Sequence, residues 1–316
     1  DLCNVSRRLT SEFLNYVIES RALRKAFISI KGYFYRAHIQ GQEVTWMIPH
    51  PFTPERNINS DVRVMRVFME FYCTMLSFVN FKLFQSLNLY YPPRLTSKIK
   101  GKVGAVETKR DVLVNSIEAL SLPLKKNFVD VAQEDEDYEE TLMENPKYSK
   151  KLKLAKEERE KVRKQVSLFE GVKFFLGRET NRESLTLLIR CGGGLVSWDR
   201  SLGPGSTYQE DDKNILYQIV DRPTCEKKYM TRYYIQPQWV YDSFNAGLIL
   251  PVQSYFVGAA LPAHLSPFEE RNHPIYTPPE MLKLKALQGK VDLVGDTEDP
   301  FEKFEEKEEE GEREEE

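Results

Sequence analysis

The 316 residues carry 45 basic and 48 acidic side chains, a net charge of -3, with 41% hydrophobic residues including 18 Phe and 16 Tyr. That balance excludes both a wholly disordered chain and a bulk polycation, and the length leaves room for two domains with real cores. No run of 18 apolar residues occurs, so no membrane partner is expected, and Cys3, Cys73, Cys191 and Cys225 form no C-x-x-C pair of a zinc knuckle or disulfide framework. Widely spaced cysteines fit a reducing intracellular compartment. The start, Asp1-Leu2-Cys3, is neither a signal peptide nor an initiator methionine and reads as a fragment.

Leu9 to Leu23 places Phe13, Val17 and Ile18 on one side, with Thr10 or Ser11 as N-cap, and predicts an amphipathic helix. Ala26 to Ile39 is rich in β-branched and aromatic residues, and Gln40-Gly41-Gln42 leads to Val44–Ile48, which together predict a β-hairpin. Asp61 to Leu89 lacks internal Gly and Pro, so a long helix capped by Asp61 is expected. Its apolar sector is far wider than one stripe. The expectation is a helix packed on several sides as the N-terminal core, with a docking face for a partner as the other reading. Pro92-Pro93 forces an extended exit into a basic, weakly structured segment. Gln133–Glu140 is acidic and Tyr148–Gln165 is rich in Lys, Glu and Arg, as expected of a charged linker.

From Leu168 the pattern becomes that of a compact unit. An apolar run reaches Gly177, a helix spans Arg182 to Cys191, and Gly192, Gly193 and Gly194 stop it. Leu195–Trp198 and Ile215–Val220 are short strands, and Pro237 opens a helix with Trp239, Val240 and Phe244 on its apolar face. The order β-α-β-β-α implies a small parallel sheet flanked by helices. These features, in this order within roughly 90 residues, resemble a BRCT domain, with Gly177, Gly192, Gly193 and Trp239 as its structural residues. Beyond Phe256, Leu261 to Pro279 is proline-rich, and Glu302–Glu316 is a charge block expected to be disordered.

A second resemblance is carried by Leu23-Arg24-Lys25-Ala26-Phe27-Ile28-Ser29-Ile30-Lys31-Gly32, by the block from Phe68-Met69-Glu70-Phe71-Tyr72 to Phe78-Val79-Asn80-Phe81, and by Asn88-Leu89-Tyr90-Tyr91-Pro92-Pro93. These resemble the pescadillo family of nucleolar ribosome-assembly factors, in which the corresponding domain is preceded by a long basic portion. The expected class is α/β overall: an α-rich N-terminal pescadillo-type domain with a β-hairpin over 1–132, a charged linker over 133–167, a BRCT domain over 168–260 and an extended, acidic low-complexity tail over 261–316. What the resemblance implies is a noncatalytic scaffold in large ribosomal subunit biogenesis, resident in the nucleolus and nucleoplasm. Its implied partners are precursor ribosomal RNA, two WD-repeat assembly proteins and other pre-ribosomal proteins.

For RNA contact the candidates are Arg24, Lys25, Lys31 and Arg36 near the aromatic hairpin, Arg63 and Arg66 on the long helix, and Arg94, Lys98, Lys100 and Lys102 after it. Basic groups beside Tyr33 and Tyr35 can contact phosphates while the rings stack on bases; isolated surface cations are more often simply solvated. The alternative function is a phosphopeptide-reading adaptor in DNA-damage or cell-cycle signalling. In such BRCT domains a Ser or Thr ending the first strand and a Lys opening the second helix hold the phosphate. Here Leu176 stands at the first position and cannot donate, leaving Arg178, Thr180, Lys227 and Lys228 as docking candidates. His38, His50, His264 and His273 match no metal or nucleophile motif, so neither catalysis nor a cofactor is expected.

Overall fold

The computed structural model describes residues 2–51, 61–96, 109–127, 146–222, 228–268 and 278–288. Residues 1–269 form one compact unit and 270–316 a second. Of the second unit, the described part is one short helix, α7 (Pro279–Leu287).

The first helix, α1, runs over Leu2–Glu19, seven residues earlier than the sequence expectation at its start and four at its end. Thr10 and Ser11 are therefore interior rather than caps: the Thr10 hydroxyl donates to the Ser6 carbonyl at 2.9 Å, a bond available only inside a running helix. Leu23 belongs to the next element because Arg21 takes a positive φ and turns the chain. Leu9 and, all round the C-terminal part of α1, Leu14, Tyr16, Val17 and Ile18 are buried, each aliphatic side chain contributing about 1.5–3 kcal/mol relative to exposure.

Three strands follow where a hairpin was expected: β1 (Leu23–Ser29), β2 (Gly32–Ile39) and β3 (Gln42–Pro49), antiparallel in that order. The β-rich run from Ala26 to Ile39 is two strands because Ile30-Lys31 form a turn, which Gly32 closes at φ +155°. A Cβ at Gly32 would collide with the Ile48 carbonyl on β3.

The long helix, α2, covers Val62–Ser86, and Asp61 caps it by accepting from the Arg63 N–H at 2.9 Å. Its burial departs from the expectation of packing on several sides. Only Asn80, Leu83 and Phe84 are buried on it. Phe68, Phe71, Tyr72, Phe78 and Phe81 are 52–73% exposed. The helix meets α1 along the Asn80 side, where the Asn80 Nδ2 donates to the Leu9 carbonyl at 2.9 Å. A further helix, α3 (Lys109–Glu118), packs on α1, which donates from Asn15 Nδ2 to the Ile117 carbonyl at 2.9 Å. The stretch expected as a charged linker contains α4 (Pro146–Val166), whose end docks: Gln165 Nε2 donates to the carbonyls of Arg24 (2.7 Å) and Phe244 (2.9 Å).

The second half is a four-stranded parallel sheet ordered β5-β4-β6-β7, made of β4 (Lys173–Leu176), β5 (Leu195–Trp198), β6 (Tyr217–Ile219) and β7 (Tyr233–Ile235). The fourth strand was not anticipated; at three residues ending two before Pro237 it is too short to show a period. Residues 168–172 precede β4 as turns, with Phe169 fully buried against Phe174 and Trp239. Helices α5 (Arg182–Cys191) and α6 (Gln238–Ala246) complete it. At the end of α5, Gly192 is the C-cap and Gly193 takes φ +85°, as the glycine run foretold. A Cβ on Gly192 would press into the Phe169 ring at 2.6 Å. Trp239 is core, 0% exposed, its indole N–H donating to the Leu250 carbonyl at 2.9 Å.

Both α5 and α6 also pack on β1, and α5 packs on α1, so one pair of helices serves both sheets. Asn245 on α6 holds the β1 backbone twice: its Oδ1 accepts from the Ala26 N–H at 3.0 Å and its Nδ2 donates to the Ala26 carbonyl at 2.7 Å. This covers the free edge of β1, a row of peptide groups that would otherwise invite pairing with another strand.

Candidate functional site

Three places in the first unit gather polar or aromatic groups. The first is the seam between the two sheets. The Tyr35 hydroxyl on β2 donates to Ser184 Oγ at 2.6 Å, and Ser184 also bonds the Tyr241 hydroxyl on α6. Burial pushes both phenols well above their ordinary range, so they remain neutral hydrogen-bonding groups at any physiological pH. Beside them His264 stacks on Phe27 (4.7 Å between centroids), shares a 2.7 Å contact with Asp242 and lies 3.3 Å from the Ile28 N–H. These polar groups are spent on one another, which makes the seam a structural joint.

The second place is the cleft at the carboxyl ends of β4 and β6, lined by Gly177, Arg178, Glu179, Asp199, Glu210 and Arg222 among others, with a volume of about 280 Å³. This is where a phosphate would bind if the docking candidates worked together. They do not converge. Leu176 is buried at 1% exposure, and Thr180 is committed locally, donating to the Gly177 carbonyl at 2.8 Å. Lys228 is exposed and does not line the cleft, while Lys227 lies outside the described residues. Of the candidates among the described residues, Arg178 alone lines the cleft. The Gly177 N–H is used on the Ile219 carbonyl at 2.9 Å, and a Cβ at Gly177 would meet Glu179 Oε1 at 2.6 Å.

Glu179, not noticed in the sequence, decides the character of this cleft. Its carboxylate pairs with Arg222 at 3.0 Å and accepts from the Asp221 N–H at 3.2 Å. An internal carboxylate thus takes the donors an incoming phosphate would need. Asp199, held below the usual carboxylate range by the Ser201 N–H and hydroxyl, and Glu210 add further negative charge. Beneath the cleft, buried Arg232 donates to Gln218 Oε1 (3.1 Å) and the Glu210 carbonyl (2.7 Å), fastening the loop to β6.

The third place is the basic surface of the N-terminal part. Arg24 is engaged within the chain: its Nη1 donates to the carbonyls of Arg21 and Leu23, both at 2.9 Å, and burial lowers its pKa. Arg36 is likewise engaged, with Thr45 at 3.1 Å, Glu43 at 3.5 Å and the Phe268 ring at 5.2 Å. Arg66 pairs with Glu70 at 2.9 Å. Lys25 is half-buried, and Lys31 and Arg63 are exposed. Lys98, Lys100 and Lys102 lie outside the described residues.

Arg94 is exposed and stands over the Tyr90 ring at 4.8 Å, and Lys125 approaches the same ring at 5.5 Å. Backbone bonds hold this cluster, with the Lys125 N–H donating to the Arg94 carbonyl at 2.7 Å. Tyr90 and Lys125 were missed because they are 35 positions apart in sequence and meet only through the irregular pairing of 88–96 with 123–127. Among the described residues, no cluster of His, Cys, Asp or Glu could hold a metal ion.

The geometry defines a mixed α/β chain whose N-terminal helices carry an antiparallel sheet and whose second half is a small parallel sheet with helices. Residues 1–119 match the family described as Pescadillo N-terminus. The chain is 48% identical over 288 residues to Pescadillo of Danio rerio and 46% identical over 288 residues to a Pescadillo homolog of Salmo salar, in each case covering 89% of this chain and 49% of the relative. It belongs to the pescadillo family. The chain spans about half the length of the curated relatives it matches. A solved structure of the fission yeast RNA polymerase II CTD phosphatase Fcp1, bound to beryllium fluoride, matches 30% of this chain and 26% of its own at 14% identity and a TM-score of 0.23, too shallow to bear on this chain.

Proposed function

We propose that this chain is a noncatalytic scaffold of large ribosomal subunit biogenesis, binding precursor ribosomal RNA and assembly-factor proteins in the nucleolus and nucleoplasm. The single observation that carries the reading is family membership sustained over 89% of the chain. Two WD-repeat assembly proteins and other pre-ribosomal proteins are the protein partners of this proposal. The parallel-sheet part is read as a BRCT domain over 168–260, following a pescadillo-type domain over 1–132 and a charged linker over 133–167. A scaffold of this kind acts by effective concentration, holding partners against a folded RNA so that later joining steps lose less entropy.

For RNA, the Arg94–Tyr90–Lys125 cluster is the best-supported contact. A ring flanked by two cations offers stacking and phosphate neutralisation together. The phosphopeptide-adaptor alternative is disfavoured by Glu179, whose carboxylate already holds Arg222 and the Asp221 N–H. The test is crosslinking of the chain to RNA in cells, with sequencing of the adducts. Enrichment of precursor ribosomal RNA, reduced in an Arg94→Ala/Lys125→Ala variant, is the expected result. Recovery spread across messenger RNA without ribosomal enrichment would sink the proposal.

A further inference from the structure

The outward face of α2 is the largest feature of the molecule that the seam, the cleft and the basic cluster leave unexplained. Phe68, Phe71, Tyr72, Met75, Phe78 and Phe81 are 46–73% exposed, and neighbouring Val and Met side chains extend the same sector. Taking about 150–250 Å² for a fully exposed aromatic side chain, the sector presents roughly 1,000 Å² of apolar surface. That exceeds the largest apolar patch of a typical monomer, about 300–600 Å². It is comparable to the ~800 Å² each partner contributes to a specific protein interface. Its Phe, Tyr and Met content is also the composition of interface cores rather than of solvated helix faces.

We infer that α2 is a docking helix, whose outward sector receives an apolar helical segment of a different protein, carrying carboxylates spaced to meet Arg63 and Lys82. Charge selects the occupant. Among the described residues, neither Arg63 at the start of the helix nor exposed Lys82 near its end has an ion-pair partner, whereas Arg66 is neutralised by Glu70. The two free cations lie about 28 Å apart along the axis. A second copy of this helix is a poor occupant: antiparallel pairing sets Arg63 against Lys82 of the other copy, and parallel pairing sets each cation against itself. A segment with acidic residues at that separation is complementary at both ends.

Lipid fits less well, although α2 is long and apolar enough by length and composition to cross a membrane. Between Glu70 and Lys82 the uncharged stretch is only about 17 Å long, against a hydrocarbon core of about 30 Å. A helix lying in the membrane surface needs a strongly charged opposite face. Here the opposite side bears Asn80 and Phe84, both 0% exposed in the contact with α1.

The inference deepens the scaffold proposal by naming a protein-binding face, and it does not depend on RNA contact. The test places the photocrosslinker benzoylphenylalanine at Phe71 and, separately, at Phe78 of the full-length protein in cells, with Lys213 as control position, and identifies the crosslinked peptides by mass spectrometry. Adducts to a segment of a different protein, with helical apolar periodicity and acidic residues near its ends, are expected. Arg63→Glu/Lys82→Glu should lower their yield by about tenfold. Adducts to this protein's own polypeptide, in the same or a second copy, adducts to lipid, or yields no higher than at Lys213 each overturn the inference. Circular dichroism of the purified chain reports folding for each variant, and the exposure of all five positions means it should be unchanged.

Discussion

Asn245→Ala removes both hydrogen bonds by which α6 grips β1, at 3.0 and 2.7 Å, and leaves the N–H and carbonyl of Ala26 without those partners. A fully buried orphaned group costs about 1–3 kcal/mol. Asn245 is only half-buried and water can enter after truncation, so the lower end applies to each group, giving about 2 kcal/mol in total. For a unit of this size each kcal/mol shifts the midpoint by roughly 2–4 °C, so the variant should melt about 4–8 °C lower. The assay is urea and thermal denaturation, with hydrogen exchange followed at β1 and α6. Exchange should accelerate at both elements together, because each loses the other. Asn245→Asp retains an acceptor for the Ala26 N–H but turns a second acceptor toward the Ala26 carbonyl. It should be at least as destabilised at pH 7 and partly recover where the carboxyl is protonated and can donate. A loss below about 0.5 kcal/mol for Asn245→Ala, the size of an ordinary surface change, would refute the argument that these two bonds join the sheets.

Two further perturbations follow from buried titratable groups. Cys191 is fully enclosed and its thiol is pushed up to about 12, chiefly by burial; a thiol-modifying reagent at pH 8 should label exposed Cys3 but reach Cys191 only after unfolding, and rapid labelling of Cys191 in the native chain would contradict the packing. Glu12 is 3% exposed and its pKa is raised from about 4.5, mainly by desolvation, against the opposing bond from Tyr91 and the nearby Arg8. The folded chain therefore holds this proton more tightly than the unfolded one, and stability is lost as pH rises from the unfolded value through the folded one. Glu12→Gln should flatten that part of the stability–pH curve, measured by urea midpoints between pH 4 and 7; an unchanged slope would count against a buried, raised carboxyl.

What the sequence disclosed and what it withheld divide along the range of the physics involved. The glycine stop after α5, the Asp61 cap and the Trp239 core are local or periodic signals, and each is present as read. The breadth of the α2 apolar sector was equally visible, but whether such a face is covered depends on what lies next to it, which periodicity cannot show. For the same reason, cations near the hairpin that are engaged within the chain could not be told from those that are not. Arg24 and Arg36 look like solvated surface groups in one dimension, yet one braces a turn and the other lies between Thr45 and Phe268. Strand β7 escaped because three residues carry no period. Glu179 and Lys125 escaped because their partners, Arg222 and Tyr90, come from distant segments. Leu176 was legible in both settings: a side chain that cannot donate stands at the end of β4, and the cleft beside it carries an internal carboxylate, Glu179, already paired with Arg222.

The double bond between Asn245 and Ala26 joins positions 219 apart in the chain. Ala26 is 0% exposed, so no larger residue fits there unless α6 shifts outward. A shift of that kind would withdraw the Asn245 amide from the strand. The two positions are therefore under a joint constraint in which neither can drift alone. Across pescadillo sequences a change at one should be accompanied by a change at the other, a covariation that would record the contact in lineages whose structures have never been determined.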